Sequence, residues 1–441
     1  MEKIIFILPN IFESTSGVSN KYINFIEFLI KQEYKQYNKQ DNNNNKIQII
    51  LYTTFVNKNI YEIIQKKYEA YKEFKIIKLY GIQIPFYKEI KIPILDELKL
   101  GNEIVSGNEI IIFNGEFFWI YDVLKNLKNK YKDKNLQIYP TWHTDYEYYA
   151  NEIYSNKSSF FNFNIFPNIA KIDSFLNYLH LYLEKKIFNG IIVTGEQTKQ
   201  KFIKYTENIF NANEVNIDIF NNFKVDKYEG PLNIIYCGRI SKEKNIEEIF
   251  DCCLEITKEK YNIHIIGDGP YLDNLKNIID IKYKDLKNKI VYYGNLDRKE
   301  INKIYQKLDN RIFLFSSISE TFGKSPMEAG VTGIPIFIKS CENSTLLYKN
   351  KKSAFVFDDS KDFKKLFIYF LSLDYFDKQI FIMDSINNIK KYEQKKIFNN
   401  WYDFLRNNEK NKDKTKLNIY DIFTFHGISK FINCSASIMS D

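Results

Sequence analysis

The chain has 441 residues, too many for one ordinary core and suited to two domains. Hydrophobic residues make up 44% and charged residues 27%, a globular balance, and the net charge of +8 is spread too thinly to mark a nucleic-acid-binding stripe. The five cysteines form no CxxC and no Cys/His cluster with zinc spacing, which excludes a zinc module and suits a reducing compartment. The wealth of Tyr, Phe, Lys, Asn and Ile follows AT-rich codons and carries no functional signal.

The opening MEKIIFILPNIFEST has an apolar run too short for a signal peptide, and no segment reaches about 18 uninterrupted apolar residues. A cytoplasmic protein is expected, touching a membrane surface at most. Residues 3–8 (KIIFIL) read as a buried strand, followed by a loop and a helix from Val18 to Gln32. Residues 33–46 are a polar, Asn-rich insertion. Strand-like runs recur at 48–54, 109–113, 136–141 and 191–195, with helix-like stretches between them. Such alternation predicts a parallel α/β sheet.

A second alternation starts after the loop around Asp226–Pro231, with strands at 232–238, 261–267, 289–294, 310–317 and 334–339 and helices at 245–258 and 298–308. The chain therefore divides into residues 1–228 and 229–390, two Rossmann-like halves. A last helix at 391–408, carrying Trp401, Phe404 and Leu405, is expected to cross back over the junction. The tail 409–441 is charged at first and then apolar, and has no assignment.

Chemistry concentrates in the second half. NIIYCGRISKEKNI places Gly238 and Arg239 at a strand end and Lys244 at the mouth of the next helix. Ligands of open α/β sheets bind there, and Gly, Arg and Lys suit a diphosphate. Alone, this pattern reads more readily as a surface turn with solvated charges. In IHIIGDGPYLDNL, Gly267–Pro270 form a tight turn, as readily structural as ligand-binding. In SETFGKSPMEAGVTGIP, Glu320 lies in a post-strand loop, and Gly323 and Ser325–Pro326 open a helix carrying Glu328. Two carboxylates behind exposed backbone amides can hold sugar and ribose hydroxyls while the helix start faces phosphate.

In this order and spacing, these elements resemble the nucleotide-binding domain of retaining GT-B glycosyltransferases of the fourth sequence family, which includes mannosyl-, glucosyl- and sulfoquinovosyl-transferases. The first half resembles it too. Ser16-Gly17-Val18 is similar to the family's glycine loop, residues 81–94 to its loop before the third strand, and TWHTDYEYYANEIY (141–154) to its HT-D/N motif. IIVTGEQTKQKF (191–202) is similar to V-P-S-x-x-T, and NNFKVDKY (221–228) to the interdomain N-G-V-D-x-x-x-F element. The resemblance implies two doubly wound Rossmann-like domains facing across a cleft.

It also implies residue roles. Arg239 and Lys244 bind the donor diphosphate; Glu320 contacts the transferring sugar; His143 lies near donor sugar and acceptor. Gly17, Gly238, Phe322, Gly323, Lys324 and Ser325 line the donor site, and Glu328 holds the ribose. Asp145 is open between an acceptor contact and a helix N-cap, and His180, His264 and His426 read as packing or surface residues. The chain departs from the pattern in its single Gly17, in VTG for V-P-S, and in Gly330, which weakens its helix by about 1 kcal/mol relative to Ala.

The expected reaction transfers a hexose from a UDP- or GDP-sugar to a lipid or glycan acceptor. The resemblance implies retention by front-face attack, and no cofactor or metal is expected, because cations and a helix dipole could stabilise the departing diphosphate. A lipid-linked acceptor and a peripheral membrane contact are favoured slightly by the aromatic and basic residues at 61–93. The main rival is a non-catalytic nucleotide-sugar-binding protein that kept the fold. A dinucleotide oxidoreductase is excluded because G-x-G-x-x-G is missing after the first strand. No nucleic-acid partner is expected.

Overall fold

The computed structural model describes residues 2–9, 11–12, 17–37, 47–55, 58–84, 87–95, 97–104, 109–115, 119–142, 187–203, 206–220, 222–256 and 260–407. His143, Asp145, His180, the Asn-rich stretch from residue 38 to 46 and the tail beyond 407, including His426, lie outside them. The described chain groups into two compact units. The second comprises Val193–Lys201 and Asn211–Trp401, and the first comprises the other described residues. The boundary expected near residue 228 thus lies inside the second unit.

In the first unit, β1 (Glu2–Ile7) leads to α1 (Gly17–Tyr37), β2 (Ile47–Thr53), α2 (Lys58–Tyr68) and β3 (Phe74–Lys78). Next come β4 (Tyr80–Ile84) and β5 (Tyr87–Ile94), then α3 (Glu97–Glu103), β6 (Glu109–Asn114), α4 (Trp119–Lys130), β7 (Gln137–Trp142) and β8 (Ile191–Val193). After α5 (Glu196–Phe202), β9 (Ile209–Asn211) completes a sheet in the order β3-β2-β1-β6-β7-β8-β9. The pairs from β3 to β7 are parallel. Strands covered on both faces read as continuous apolar runs rather than alternations, as in IIFI of β1 and EIIIF of β6. Residues 81–84 and 87–94, within the stretch that resembles a loop in sequence, instead belong to the antiparallel pair of β4 and β5. Its residues alternate Ile with polar partners, which is strand periodicity.

The second unit carries β10 (Leu232–Cys237), α6 (Ile246–Leu254), β11 (Tyr261–Ile266), α7 (Leu272–Lys282), β12 (Ile290–Gly294), α8 (Arg298–Lys307) and β13 (Arg311–Phe315). There follow α9 (Lys324–Val331), β14 (Ile336–Lys339), α10 (Glu342–Leu347), β15 (Phe355–Phe357), α11 (Ser360–Ser372), α12 (Tyr375–Ile389) and α13 (Gln394–Asn407). The sheet order is β12-β11-β10-β13-β14-β15, all parallel. This is the doubly wound order, and its switch point falls between β10 and β13. The loops leaving those two strands therefore flank a crevice where a ligand can lie against strand ends. Cys252 and Cys253 are buried on α6, and burial pushes both thiols well above their usual range. His264 is also a packing residue, held between the Tyr293 hydroxyl and the Asn233 carboxamide, and burial lowers its pKa to about 4. Helix α13 divides between the units after Trp401.

The segment from 222 to 231 is anchored by charge. Arg311 at the start of β13 is 0% exposed. Its Nε and Nη2 donate to the two Asp226 carboxylate oxygens at 2.8 and 3.2 Å. Nη1 donates to the Tyr305 carbonyl at 2.8 Å, and the Arg311 backbone N–H donates to Asp226 Oδ2 at 2.8 Å. Removing one partner of such a pair strands a buried charge. Arg311→Met is expected to destabilise the protein by about 3–5 kcal/mol in denaturant unfolding. A loss below about 1 kcal/mol would contradict this account.

Candidate functional site

The first loop at the switch point leaves β10 through Gly238 and Arg239. The buried Tyr236 hydroxyl donates to the Arg239 carbonyl at 2.9 Å and fixes the turn from below. The Arg239 side chain is exposed, and among the described residues no carboxylate pairs with it. Residues 267–271 brace this loop rather than enter the crevice. The Ile240 N–H donates to the Asp268 carbonyl at 2.9 Å, the Gly238 N–H to the Ile266 carbonyl at 2.9 Å, and the Tyr271 N–H to the Ile240 carbonyl at 3.1 Å. The approach is so close that a Cβ on Gly267, whose φ is +139°, would meet the Gly238 carbonyl oxygen at 1.9 Å. Only glycine fits there. Of the two roles open for the GDGP turn in sequence, these contacts are the structural one.

The second loop leaves β13 and is stitched to the first. The Ser316 hydroxyl lies 3.0 and 2.8 Å from the carbonyls of Lys244 and Asn245 and shares its one proton between them. The Ile318 N–H donates to the Glu243 carbonyl at 3.0 Å. This bracing brings Lys244 and Glu320, 76 positions apart, to an ion pair of 2.6 Å, both side chains largely sheltered. Two residues picked from separate motifs thus meet at the switch point.

Helix α9 follows. Gly323 is its N-cap and Lys324 its first residue, one position earlier than the Ser325 start expected from sequence. Phe322 is buried edge-on against the Tyr392 ring, centroids 5.2 Å apart. The Glu328 side chain is buried, and burial raises its carboxyl pKa, with Arg298 and Lys324 pulling the other way. Arg298 Nε lies 3.1 Å from Glu328 Oε1, within ion-pair range but off line for a hydrogen bond, so that oxygen has no donor. A buried carboxylate with a spare acceptor can accept a hydrogen bond from a ligand hydroxyl. Cys237 lies beside it, its thiol pushed up to about 12 by burial and by the Glu328 charge. Gly330 has a packing reason: a Cβ there would meet the Ile336 and Ile389 Cδ1 atoms at 2.6 and 2.7 Å.

Three further residues hold this set and were not picked out in sequence. Asn343 donates from Nδ2 to the Glu320 carbonyl at 2.7 Å, and its Oδ1 accepts from the Gln197 N–H at 3.2 Å. Glu214, fully buried, pairs with Lys324. Arg298 faces Glu328. Nothing in the sequence around Asn343 marks it. Glu214 carried a signal, because the Asn, Val and Phe of the interdomain element are spaced equally well in Asn213, Val215 and Phe220. The VTG departure also has a reason. Gly195 has a φ of +96°, and its added Cβ would lie 2.9 Å from the Thr321 carbonyl oxygen. Gly17 opens α1 in the first unit, and His143 lies outside the described residues.

Comparison with known proteins fits this geometry. Residues 218–395 match the family described as Glycosyl transferases group 1. Alpha-monoglucosyldiacylglycerol synthase of Streptococcus pneumoniae is 28% identical over 115 residues, 26% of this chain and 25% of that one. The capsular polysaccharide biosynthesis glycosyltransferase CapM of Staphylococcus aureus is 24% identical over 222 residues, 43% of this chain and 54% of its own. The match thus spans about a quarter to a half of these relatives. Among solved structures, Anabaena HepE in complex with UDP and glucose superposes with a TM-score of 0.59 at 12% identity, over 92% of this chain and 99% of the other. That likeness carries the fold.

The raised carboxyl of Glu328 has a pH signature. As pH falls from neutrality, this group takes up its proton before an ordinary glutamate does, and it loses strength as an acceptor. Affinity for UDP or GDP, measured by calorimetry, is expected to weaken on acidification in the wild type. In Glu328→Gln it is expected to be about tenfold weaker at pH 7.5 and flatter with pH. Parallel pH profiles for the two proteins would refute the assignment.

Proposed function

Residues 218–395 form a domain of the glycosyl transferases group 1 family, and from that premise we propose that the chain moves a hexose-type sugar from a UDP- or GDP-sugar to a lipid or glycan acceptor, with retention and without a metal. The observation that carries this reading is the 2.6 Å pairing of Lys244 with Glu320 at the switch point, next to an Arg239 that no described carboxylate neutralises. A sugar diphosphate presents a dianionic bridge next to a hydroxyl-bearing ring. Cations beside a carboxylate match that sequence of groups.

Cleavage of the bond from the anomeric carbon to the diphosphate leaves positive charge on the sugar and negative charge on the leaving group. Arg239 meets the leaving oxygens as a fork and Lys244 as a point charge. The start of α9 adds amides and the positive end of its dipole. These charges are in place before reaction, so little reorganisation opposes the step. Glu320 accepts from the sugar's hydroxyls, and Glu328 from the ribose. On this reading His143 lies on the acceptor side, Gly17 lets its loop approach the phosphates, and the departing phosphate helps deprotonate the acceptor on the same face.

The names of the relatives supply two acceptor classes, a diacylglycerol and a capsular polysaccharide. The first suits a chain that works at a membrane surface. In the first unit Tyr80 is 82% exposed and Ile63 64%, close in sequence to Lys66, Lys67, Lys72, Lys75 and Lys78, a composition suited to anionic lipid. No helix among the described residues is long and apolar enough to cross a membrane.

The test is nucleotide release by the purified full-length chain from UDP-, GDP- and ADP-sugars, with a chelator present. Release from one donor is expected, and Arg239→Ala or Lys244→Ala is expected to lower it at least about a hundredfold while the protein stays folded. Near-normal activity in either variant would overturn the site assignment. A strict requirement for a divalent cation would overturn the metal-free mechanism. Tight donor binding without turnover, with acceptors of both classes supplied, would make the chain a binding protein.

A further inference from the structure

Helix α9 has eight residues, yet its start lacks the usual supports. Its N-cap Gly323 has a φ of +71° and offers no side chain to cap the first turn. The first turn holds no acidic residue to complement the dipole. Pro326 has no N–H, so the amides of Gly323, Lys324 and Ser325 are the ones left open at the helix mouth. A short helix with its opening amides unspent is poorly fixed by its own sequence.

What holds it comes from a different stretch of the same unit. Glu214, 0% exposed, takes the Lys324 ammonium on Oε1 and the Gln394 carboxamide on Oε2, the latter at 2.9 Å. The backbone around it is a small bridge. The Val215 N–H donates to the Tyr392 carbonyl at 2.8 Å, and the Gln394 N–H to the Val215 carbonyl at 2.9 Å. Tyr392 in turn is the ring against which Phe322 packs. The strap formed by residues 214–215 and 392–394 therefore grips α9 on both sides of its N-cap, through Phe322 before it and Lys324 after it.

We infer that Glu214 is a positioning residue for the donor diphosphate: its buried carboxylate, through Lys324 and Gln394, does the work of an N-cap from outside the helix, so that the first amides of α9 stay fixed and free for phosphate. A capping side chain on Gly323 would fix the same turn but occupy those amides. The strap keeps the two tasks apart. The inference rests on the donor-site reading of α9.

Amide hydrogen exchange on the ligand-free full-length chain tests it. The N–H groups of Met327 and Glu328 are the first that the helix itself can bond, and they report whether its opening turn is closed. In Glu214→Gln their exchange is expected to rise about tenfold or more, with the amides of β10, β11 and β13 unchanged. The Kd for UDP or GDP should rise about tenfold, and at saturating donor kcat should change much less than KM. Gln394→Met, which leaves the ion pair in place, should shift both readouts in the same direction by less, and serves if Glu214→Gln does not fold. Unchanged exchange at Met327 and Glu328, or a loss of protection spread over the whole sheet, would overturn the positioning role. If the wild type bound neither UDP nor GDP, the donor reading would fall while the exchange arm still judged the strap.

Discussion

The second unit depends on a guanidinium that never meets solvent. Arg311 begins β13, one of the two strands that define the switch point, and Asp226 reaches it from the segment that leads into β10. The same arginine binds the Lys224 carbonyl at 3.1 Å. The incoming chain is therefore registered against the strand whose far end carries Ser316 to Glu320. A buried ion pair contributes little net stability over apolar residues of equal volume, but it tolerates only one arrangement. That specificity suits its place, because a slip of β13 by one residue would turn every loop residue beyond it to the wrong face.

From that anchor the site is assembled by loops that spend their polar groups on one another. Backbone carbonyls of residues 243–245 are taken by Ser316 and Ile318, and the carbonyl of Arg239 by Tyr236. The Asn343 carboxamide does the same for Glu320. Among the described residues, the groups left unspent include the Arg239 guanidinium, one oxygen of Glu328 and the open end of α9. They are the groups that a phosphorylated, hydroxyl-rich ligand would use. Rigidity in the frame and vacancy at the ligand follow from the same hydrogen-bond accounting.

Much of this was legible in the amino-acid order. Parallel strands announce themselves as apolar runs, and five of the six in the second half were placed within one or two residues of where they lie, while the three-residue β15 was too short to stand out. Gly238, Arg239, Lys244, Glu320 and Glu328 could be picked because motif spacing ties them to strand ends. Asn343 and Arg298 could not, because each acts on a residue that is distant in sequence and no local pattern records such a contact; Glu214 was overlooked although Asn213, Val215 and Phe220 around it keep the spacing of the interdomain element. The hairpin strands at 80–84 and 87–94 were passed over because the stretch was matched to a family loop, although its Ile residues alternate at strand spacing. Gly330 looked like a weakness by helix propensity alone; its neighbours Ile336 and Ile389 show that the space beside it is already filled. His143 belongs to a stretch that the described structure does not reach.

The pairing of Lys244 with Glu320 bears on selectivity. An ammonium already matched by a carboxylate at 2.6 Å gains little by exchanging it for a lone small anion, since one partner is lost for each one won. A sugar diphosphate offers a fairer exchange. Its phosphate takes the lysine, and its hydroxyls take the carboxylate that the lysine releases, so neither sheltered charge is left bare. On the donor reading, the resting pair screens out inorganic phosphate and admits a molecule that carries both halves of the replacement in one piece.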